Sequence, residues 1–450
     1  MSKESVLNEV REVLVIGGGV AGIQAALDLA DMGLHVHLVE KKPSIGGRMA
    51  QLDKTFPTND CAICILSPKM AECVRHPNIT LHAYSEVQQL SGSVGAFTAQ
   101  VRKYARYVKE EECTGCGECT QRCPTKVPDE FDMGLRMREA IYPYYLQGVP
   151  AVMTIDRERC LRLTKGRCGI CQRVCQRGAV DYEQKDRELT LSVGAIVVAT
   201  GFDPFDPAVV KQYGYGKYRN VITSLEYERL ISASGPTGGH LQRLSDRKPA
   251  KRLGFIQCVG SRDIKRNRFC SSVCCMYATK EAILANEHDR EVQSTVFYTD
   301  LRAAGKGFQE YVDRARRQYN VSYVRARVAE LTQDENESPI ISYEDTQTGR
   351  PGSETVDLAV LAISLVPRRG AREMAALLGV ELDEWGFIKT DPFSPADTTR
   401  PGIFACGYCR GPADIPESVA QASGAAARAA EMVWQNQPSA ARRFRLDMGA

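Results

Sequence analysis

No apolar run in the chain approaches the roughly 18 to 20 residues that a membrane span requires. The opening stretch, MSKESVLNEVREVLVIGGG, reaches its first strand without the apolar core of a secretory leader, so a cytosolic chain is expected. Charge of one sign is also scarce: 58 basic and 55 acidic residues leave +3, which gives neither nucleic acid nor an anionic membrane a reason to bind. A second nucleotide fingerprint is missing as well. The strand that begins at Arg252 runs into Gln257-Cys258-Val259-Gly260-Ser261-Arg262, without the glycines that let a pyrophosphate approach, so no nicotinamide nucleotide is expected there.

Cysteine, by contrast, is abundant. Seventeen are many for a chain in a reducing compartment, where clusters serve as metal ligands or redox groups before they serve as disulfides. The odd number leaves at least one thiol outside any fully paired scheme. Apolar residues at 43% and charged residues at 25% fit a globular protein, and 450 residues are enough for about three modules.

Residues 12–22 form an apolar strand running into Gly17-Gly18-Gly19-Val-Ala-Gly22, with helical composition following. Gly17 permits the tight turn, Gly19 the approach of a pyrophosphate, and Gly22 close packing of helix on strand. A lone GxGxxG is weak evidence. Here a second strand, His35-Val-His-Leu-Val-Glu40, ends in an acid where a ribose-binding carboxylate belongs, and Gly46-Gly47-Arg48 follows. That Gly-Gly loop is common in FAD enzymes with two dinucleotide domains. Gly194-Ala-Ile-Val-Val-Ala-Thr200-Gly201 reads as a buried strand leading to the crossing between domains. Residues 401–407 and a small-residue helix over 418–432 resemble a closing FAD segment. Such segments usually carry Gly-Asp, whereas Gly407 is followed by Tyr408; Asp414 from the next turn, or backbone amides alone, can take the missing acid's place.

Between these pieces lies Cys113-Thr-Gly-Cys116-Gly-Glu-Cys119-Thr-Gln-Arg-Cys123-Pro124, the run by which bacterial ferredoxins hold [4Fe-4S] clusters. A second group, Cys160, Cys168, Cys171 and Cys175, repeats its tail. The fourth cysteine of such a run ligates the other cluster, so Cys113, Cys116, Cys119 and Cys175 are expected around one cluster and Cys123, Cys160, Cys168 and Cys171 around the other. The second run departs from the pattern in the long gap after Cys160 and in Gln176 where proline is usual. A zinc ribbon, with two separated CxxC knuckles, fits the first run poorly. Met133, Leu135, Met137, Ile141, Tyr142, Tyr144 and Tyr145 are read as a pad seating this module on the flavin domain. Cys258, Cys270, Cys274 and Cys275 suit a third cluster, with buried structural thiols or a thiol redox pair as alternatives. Cys61 and Cys64 form a CxxC pair expected near the flavin, in a redox, ligand or merely structural role. Lys69 is a candidate hydrogen-bond donor to the flavin ring or a plain surface lysine. Cys73 is read as a buried apolar residue.

Asp60-Cys61-Ala-Ile-Cys64-Ile-Leu-Ser-Pro68-Lys69-Met70, Gly201-Phe-Asp-Pro-Phe-Asp206, Ile256-Gln-Cys258-Val-Gly-Ser-Arg262-Asp263, the run 270–279 and Asp414-Ile-Pro-Glu417-Ser-Val-Ala-Gln421 together resemble HdrA, the A-type component of heterodisulfide reductases. The likeness to this family spans residues 10–432. It implies a thioredoxin-reductase-like FAD core with an inserted two-cluster ferredoxin, and a further cluster on Cys258, Cys270, Cys274 and Cys275. Full-length methanogen members carry an N-terminal cluster domain and a C-terminal ferredoxin domain, so a short form is expected. The resemblance also implies an oxidoreductase component that bifurcates or confurcates electrons at FAD; the oxygen lability of exposed clusters points to an anaerobic setting. Its expected partners are the other components of a heterodisulfide-reductase-type complex and ferredoxin or a similar carrier, with a homodimer as a further option. A non-bifurcating relay and scaffold is the alternative, and a self-sufficient disulfide reductase using Cys61 and Cys64 is weakened by the absent nicotinamide site.

The expected layout is an α/β fold: FAD-binding domain over 1–108, two-cluster ferredoxin insert over 109–188, FAD domain and crossover over 189–248, a nicotinamide-domain-like unit over 249–394, a closing FAD segment over 395–434, and a flexible tail over 435–450.

Overall fold

The computed structural model describes residues 11–435; the expected tail from 436 onward lies outside them. A five-stranded parallel sheet forms the first domain, in the order Ile403–Ala405, Ala195–Val198, Glu12–Ile16, His35–Glu40, Ile79–Ala83. Its central strands are continuous apolar runs because both faces are covered. Val13 and Val15 face helices Val20–Asp31, Ala62–Arg75 and Ile415–Gln435, while Leu14 and Ile16 face a three-stranded antiparallel sheet.

That small sheet explains the insertion. Ala96–Lys103 and Arg187–Val193 are antiparallel neighbours in register from Lys103 opposite Arg187. A tight turn would suffice to join them. Instead the whole cysteine module, residues 104–186, occupies the place of the turn, so both of its ends are held by one pair of hydrogen-bonded strands.

Polar and aromatic contacts seat the module. Phe131 stacks on Tyr145 with ring centroids 4.7 Å apart, and both belong to the first domain's core. The Tyr145 hydroxyl donates to the Ile45 carbonyl, and the buried Arg106 guanidinium donates to Pro43 O at 2.6 Å and to Thr154 Oγ1 at 2.9 Å. The expected aromatic pad is thus formed by Tyr144 and Tyr145 together with Phe131, which the sequence reading passed over. Ile141 and Tyr142 are buried, Ile141 in the module's own core, and Met137 is 52% exposed.

The second domain is a seven-stranded sheet in the order Val221–Thr223, Leu358–Ile363, Arg252–Val259, Gln293–Tyr298, Val321–Gln333, Pro339–Asp345, Arg350–Thr355. Its first five strands are parallel, and the last two add as an antiparallel hairpin. Two expected boundaries move. The strand Val221–Thr223 and helix Ser224–Ile231 belong to this second sheet and its core, ahead of residue 249. The chain then returns to the first domain before 394: Ala375, Leu378, Val380 and Ile388 bury their side chains in the core shared with the three-stranded sheet. The two crossings, Phe202–Pro204 and Leu365–Pro367, pair with each other. No helix among the described residues is long and apolar enough to cross a membrane.

Candidate flavin and iron–sulfur sites

The strand-to-helix turn builds an anion cradle. Gly17 has φ +109°, and a Cβ there would stand 2.4 Å from Ala199 O; a Cβ on Gly22 would stand 1.8 Å from Gly17 O. Gly19 precedes the first helical residue and offers no side-chain cap, so the first N–H groups of a twelve-residue helix face the cavity unoccupied by side chains, as a pyrophosphate requires. Gly47 closes the other side: its Cβ would meet Gly19 Cα at 2.8 Å. Glu40 accepts from the Gly18 N–H and the Lys42 N–H, each at 2.7 Å, which holds a buried carboxylate beside the cradle. Gly17, Gly19, Glu40, Gly47, Arg48, Thr200, Gly201, Gly407 and Asp414 line one cavity. Gly22 lies behind it, in the packing role expected. The donor set fits an FAD, whose ring contributes two-electron acceptance and one-electron release.

Three expectations change once the cavity is described. Asp414 lines it but spends its carboxylate on the closing helix: Asp414 Oδ1 accepts from Glu417 N at 2.8 Å and Glu417 Oε2 from Asp414 N at 2.9 Å, a reciprocal cap. Tyr408, in the place of the usual acid, is buried against Phe202 and donates to Ser271 O at 3.2 Å. Lys69 does not reach the cavity at all. It is exposed on the helix Ala62–Arg75 and paired with Glu72 at 3.4 Å. Cys61 and Cys64 do not line the cavity either; they are joined as a disulfide.

Sequence reasoning missed the polar cluster that the second domain contributes. Lys280 Nζ lies 2.5 Å from Glu228 Oε1 and donates to Lys54 O at 2.8 Å, with the Lys280 and Glu228 side chains almost fully buried. Asp53 N donates to Glu228 Oε2 at 2.9 Å. Glu281, also buried, leaves Oε2 without a partner. The signal in the sequence was the Lys280-Glu281 pair in the middle of an otherwise mostly apolar helix, Cys274–His288.

Burial, then the neighbouring Glu228 carboxylate, holds Glu281 well above its ordinary value of 4.5, against the pull of Lys280. Above the ordinary value the unfolded chain has lost a proton that the folded chain keeps, so this group's contribution falls as pH rises, by up to about 1.4 kcal/mol per pH unit. Glu281→Gln is expected to flatten the pH dependence of the melting midpoint between about pH 5 and pH 8. An unchanged slope would mean that Glu281 is ionised in the fold.

Cys113, Cys116, Cys119 and Cys175 line one hollow, and Cys123, Cys160, Cys168 and Cys171 line a second. Cys274 and Cys275 open the helix Cys274–His288. Cys258 joins them because a bulge between Ile256 and Val259 and a φ of +60° re-aim its side chain off the strand. Backbone N–H groups donate to sulfur in these groups, at 3.4 Å in each case: Ala179 to Cys175, Ser272 to Cys270 and Arg302 to Cys275. As free thiols, Cys119 and Cys275 are pushed up to about 11 by burial, a cost removed when a metal ionises them. Sets of four cysteines with backbone N–H donors to sulfur fit [4Fe-4S] clusters. Cys73, Cys406 and Cys409 are buried outside these groups.

Two of the cysteine groups approach the flavin cavity. Ser44 and Tyr144 line both that cavity and a second one that is also lined by Gly115, Cys116 and Gly117. Val273, next to Cys274, lines the flavin cavity directly.

Comparison with known proteins agrees with this geometry. Residues 12–116 match the model of FAD dependent oxidoreductases, 106–129 that of 4Fe-4S binding domains, and 276–427 that of pyridine nucleotide-disulphide oxidoreductases. The fold is that of thioredoxin reductases from Lactococcus lactis (TM-score 0.53, 17% identity, 94% of this chain and 99% of that one) and T. acidophilum (TM-score 0.52, 15% identity, 94% and 98%). An A-type iron-sulfur component of the CoB–CoM heterodisulfide reductase of Methanopyrus kandleri is 53% identical over 95% of this chain and 65% of its own length. The corresponding protein of Methanocaldococcus jannaschii is 47% identical over 99% and 67%. A third relative, the A-type component of the H(2):CoB-CoM heterodisulfide,ferredoxin reductase of Methanothermobacter marburgensis, is 47% identical over 93% and 63%. The chain spans about two thirds of the length of these relatives. Its segments match FAD- and 4Fe-4S-binding models, and the chain belongs to the HdrA family of heterodisulfide reductase components.

Proposed function

We propose that this chain is the flavin-bearing component of a heterodisulfide-reductase-type complex, holding one FAD and three [4Fe-4S] clusters and dividing electron pairs between two routes. The observation that carries the reading is that two cysteine groups come up to one cavity from different elements: Cys116 lines a second hollow that shares Ser44 and Tyr144 with it, and Cys274 follows Val273, which lines it. Cys113, Cys116, Cys119 and Cys175 would hold one cluster, Cys123, Cys160, Cys168 and Cys171 a second, and Cys258, Cys270, Cys274 and Cys275 a third. Each supplies one-electron steps. Partner proteins of the complex would carry the substrate chemistry, and a ferredoxin-class carrier would exchange with one of the routes.

Cys175→Ala and Cys270→Ala are expected each to lower bound iron by about a third in anaerobically reconstituted protein, while FAD content stays unchanged. Iron unchanged in either variant would remove that group from the ligand set. Viologen reduction by NADH with the purified chain alone would sink the reading, because the chain would then take electrons from a nicotinamide without a partner.

A further inference from the structure

We propose that Cys61 and Cys64 form a redox-active pair that exchanges with an external dithiol and, through the loop over 53–62, sets the hold on Lys280 in the flavin cavity; this rests on the FAD reading of that cavity. The two cysteines form the one disulfide among the described residues. Cys64 is exposed and Cys61 half-buried, so a dissolved reductant can reach the bond. Cys61 caps the fourteen-residue helix Ala62–Arg75, and its sulfur accepts from Cys64 N at 3.3 Å. A thiolate at Cys61 is stabilised by that donor and by the helix N-terminus behind it.

The loop ties this bond to the cavity. Lys54 pairs with Cys61 across an antiparallel bridge, Ala62 N donates to Asp53 O at 3.0 Å, and Thr55 N donates to Asp60 O at 2.8 Å. Lys54 and Thr55 line the flavin cavity. The Lys54 carbonyl is the acceptor of Lys280 Nζ, and Asp53 N is a donor to Glu228. A change in the backbone at Cys61 therefore moves an acceptor of the cavity's buried cation. The disulfide itself does not line the cavity, so it is placed to modulate that site rather than to receive electrons there.

In the exchange, a thiolate of the dithiol attacks Cys64 Sγ, the Cys61–Cys64 bond breaks, and Cys61 leaves as a thiolate. The second thiol of the reductant then displaces Cys64, closing its own disulfide. Two electrons pass from the dithiol to the protein pair, and the two protons released by the reductant's thiols re-protonate Cys61 and Cys64.

The test uses anaerobic holoprotein treated with dithiothreitol or left oxidised, then freed of thiol. Alkylation and peptide mapping are expected to show Cys61 and Cys64 passing together from disulfide to two labelled thiols. The flavin midpoint, titrated with redox dyes, is expected to differ between the two forms by at least tenfold in equilibrium constant, about 30 mV for a two-electron couple. The double variant Cys61→Ser/Cys64→Ser should hold the reduced form's midpoint before and after treatment. A peptide that stays in one state, or a midpoint that ignores both the treatment and the variant, overturns the proposal. A chain that takes up no FAD sinks the cavity reading instead, and the peptide map still reports the exchange.

Discussion

Replacing Arg229 by methionine is expected to cost about 3–5 kcal/mol and to release the inserted cysteine module from the flavin domain. Arg229 sits on the helix Ser224–Ile231 of the second domain. Its Nε lies 2.7 Å from Asp132 Oδ1 in the insert, its Nη1 donates to Gln51 O of the first domain at 3.1 Å, and its guanidinium lies 5.0 Å from the Phe131 ring centroid. One buried cation thus joins all three units. Methionine fills the volume but leaves the Asp132 carboxylate, 0% exposed, with Arg136 as its remaining cation, a residue that is itself 39% exposed. Removing one member of a buried pair leaves an uncompensated charge, whereas removing both can be nearly neutral. Arg229→Met/Asp132→Leu should therefore recover most of the loss. Because a chain of several units need not unfold in one step, the measurement is hydrogen exchange or limited proteolysis resolved over residues 104–186. Protection in the single variant equal to that of the parent would mean that the module is seated by its aromatic contacts alone.

The second large effect is expected at Gly22. A Cβ there would lie 1.8 Å from Gly17 O, between the strand and the helix whose N–H groups make the cradle, and neither backbone can give way without opening the turn. Gly22→Val is expected to cost about 3 kcal/mol or more by overpacking and to yield protein without FAD. Gly424→Ala is the control. It lies in the closing helix, a Cβ there meets nothing, and the exchange should be neutral or stabilising by up to about 1 kcal/mol. Flavin absorbance per chain separates the two. Full FAD occupancy in Gly22→Val would mean that the cofactor lies elsewhere.

The legible parts of this molecule are those specified by short spacings. The glycines of the cradle and the three cysteine groups each act through a few neighbouring residues, so their chemistry could be read before their geometry was known. Cys175 shares a hollow with the first run and Cys123 with the second, a closeness that the repeat of one motif makes available to sequence reading. What was not legible depended on partners distant in sequence. Whether Lys69 or Lys280 meets the cavity is decided by which helix face packs inward, and Lys280 is buried only because Glu228 and the Lys54 carbonyl arrive from other elements. The strand Val221–Thr223 was misassigned because its partner, Leu358–Ile363, lies far along the chain. Cys258 needed a bulge and a left-handed backbone to reach its group, and no spacing announces those. Asp414 resembled a ligand by position and proved to be a helix cap by geometry.

The central claim is that one flavin divides electron pairs between two cysteine groups that approach its cavity. A potentiometric titration of the holoprotein, followed at the flavin absorbance, tests it most directly. The expected result is a single transition with a two-electron slope, since a flavin that gives up its electrons singly to two different routes cannot rest halfway. Two well-separated one-electron transitions would contradict the claim and identify the chain as a single-route relay.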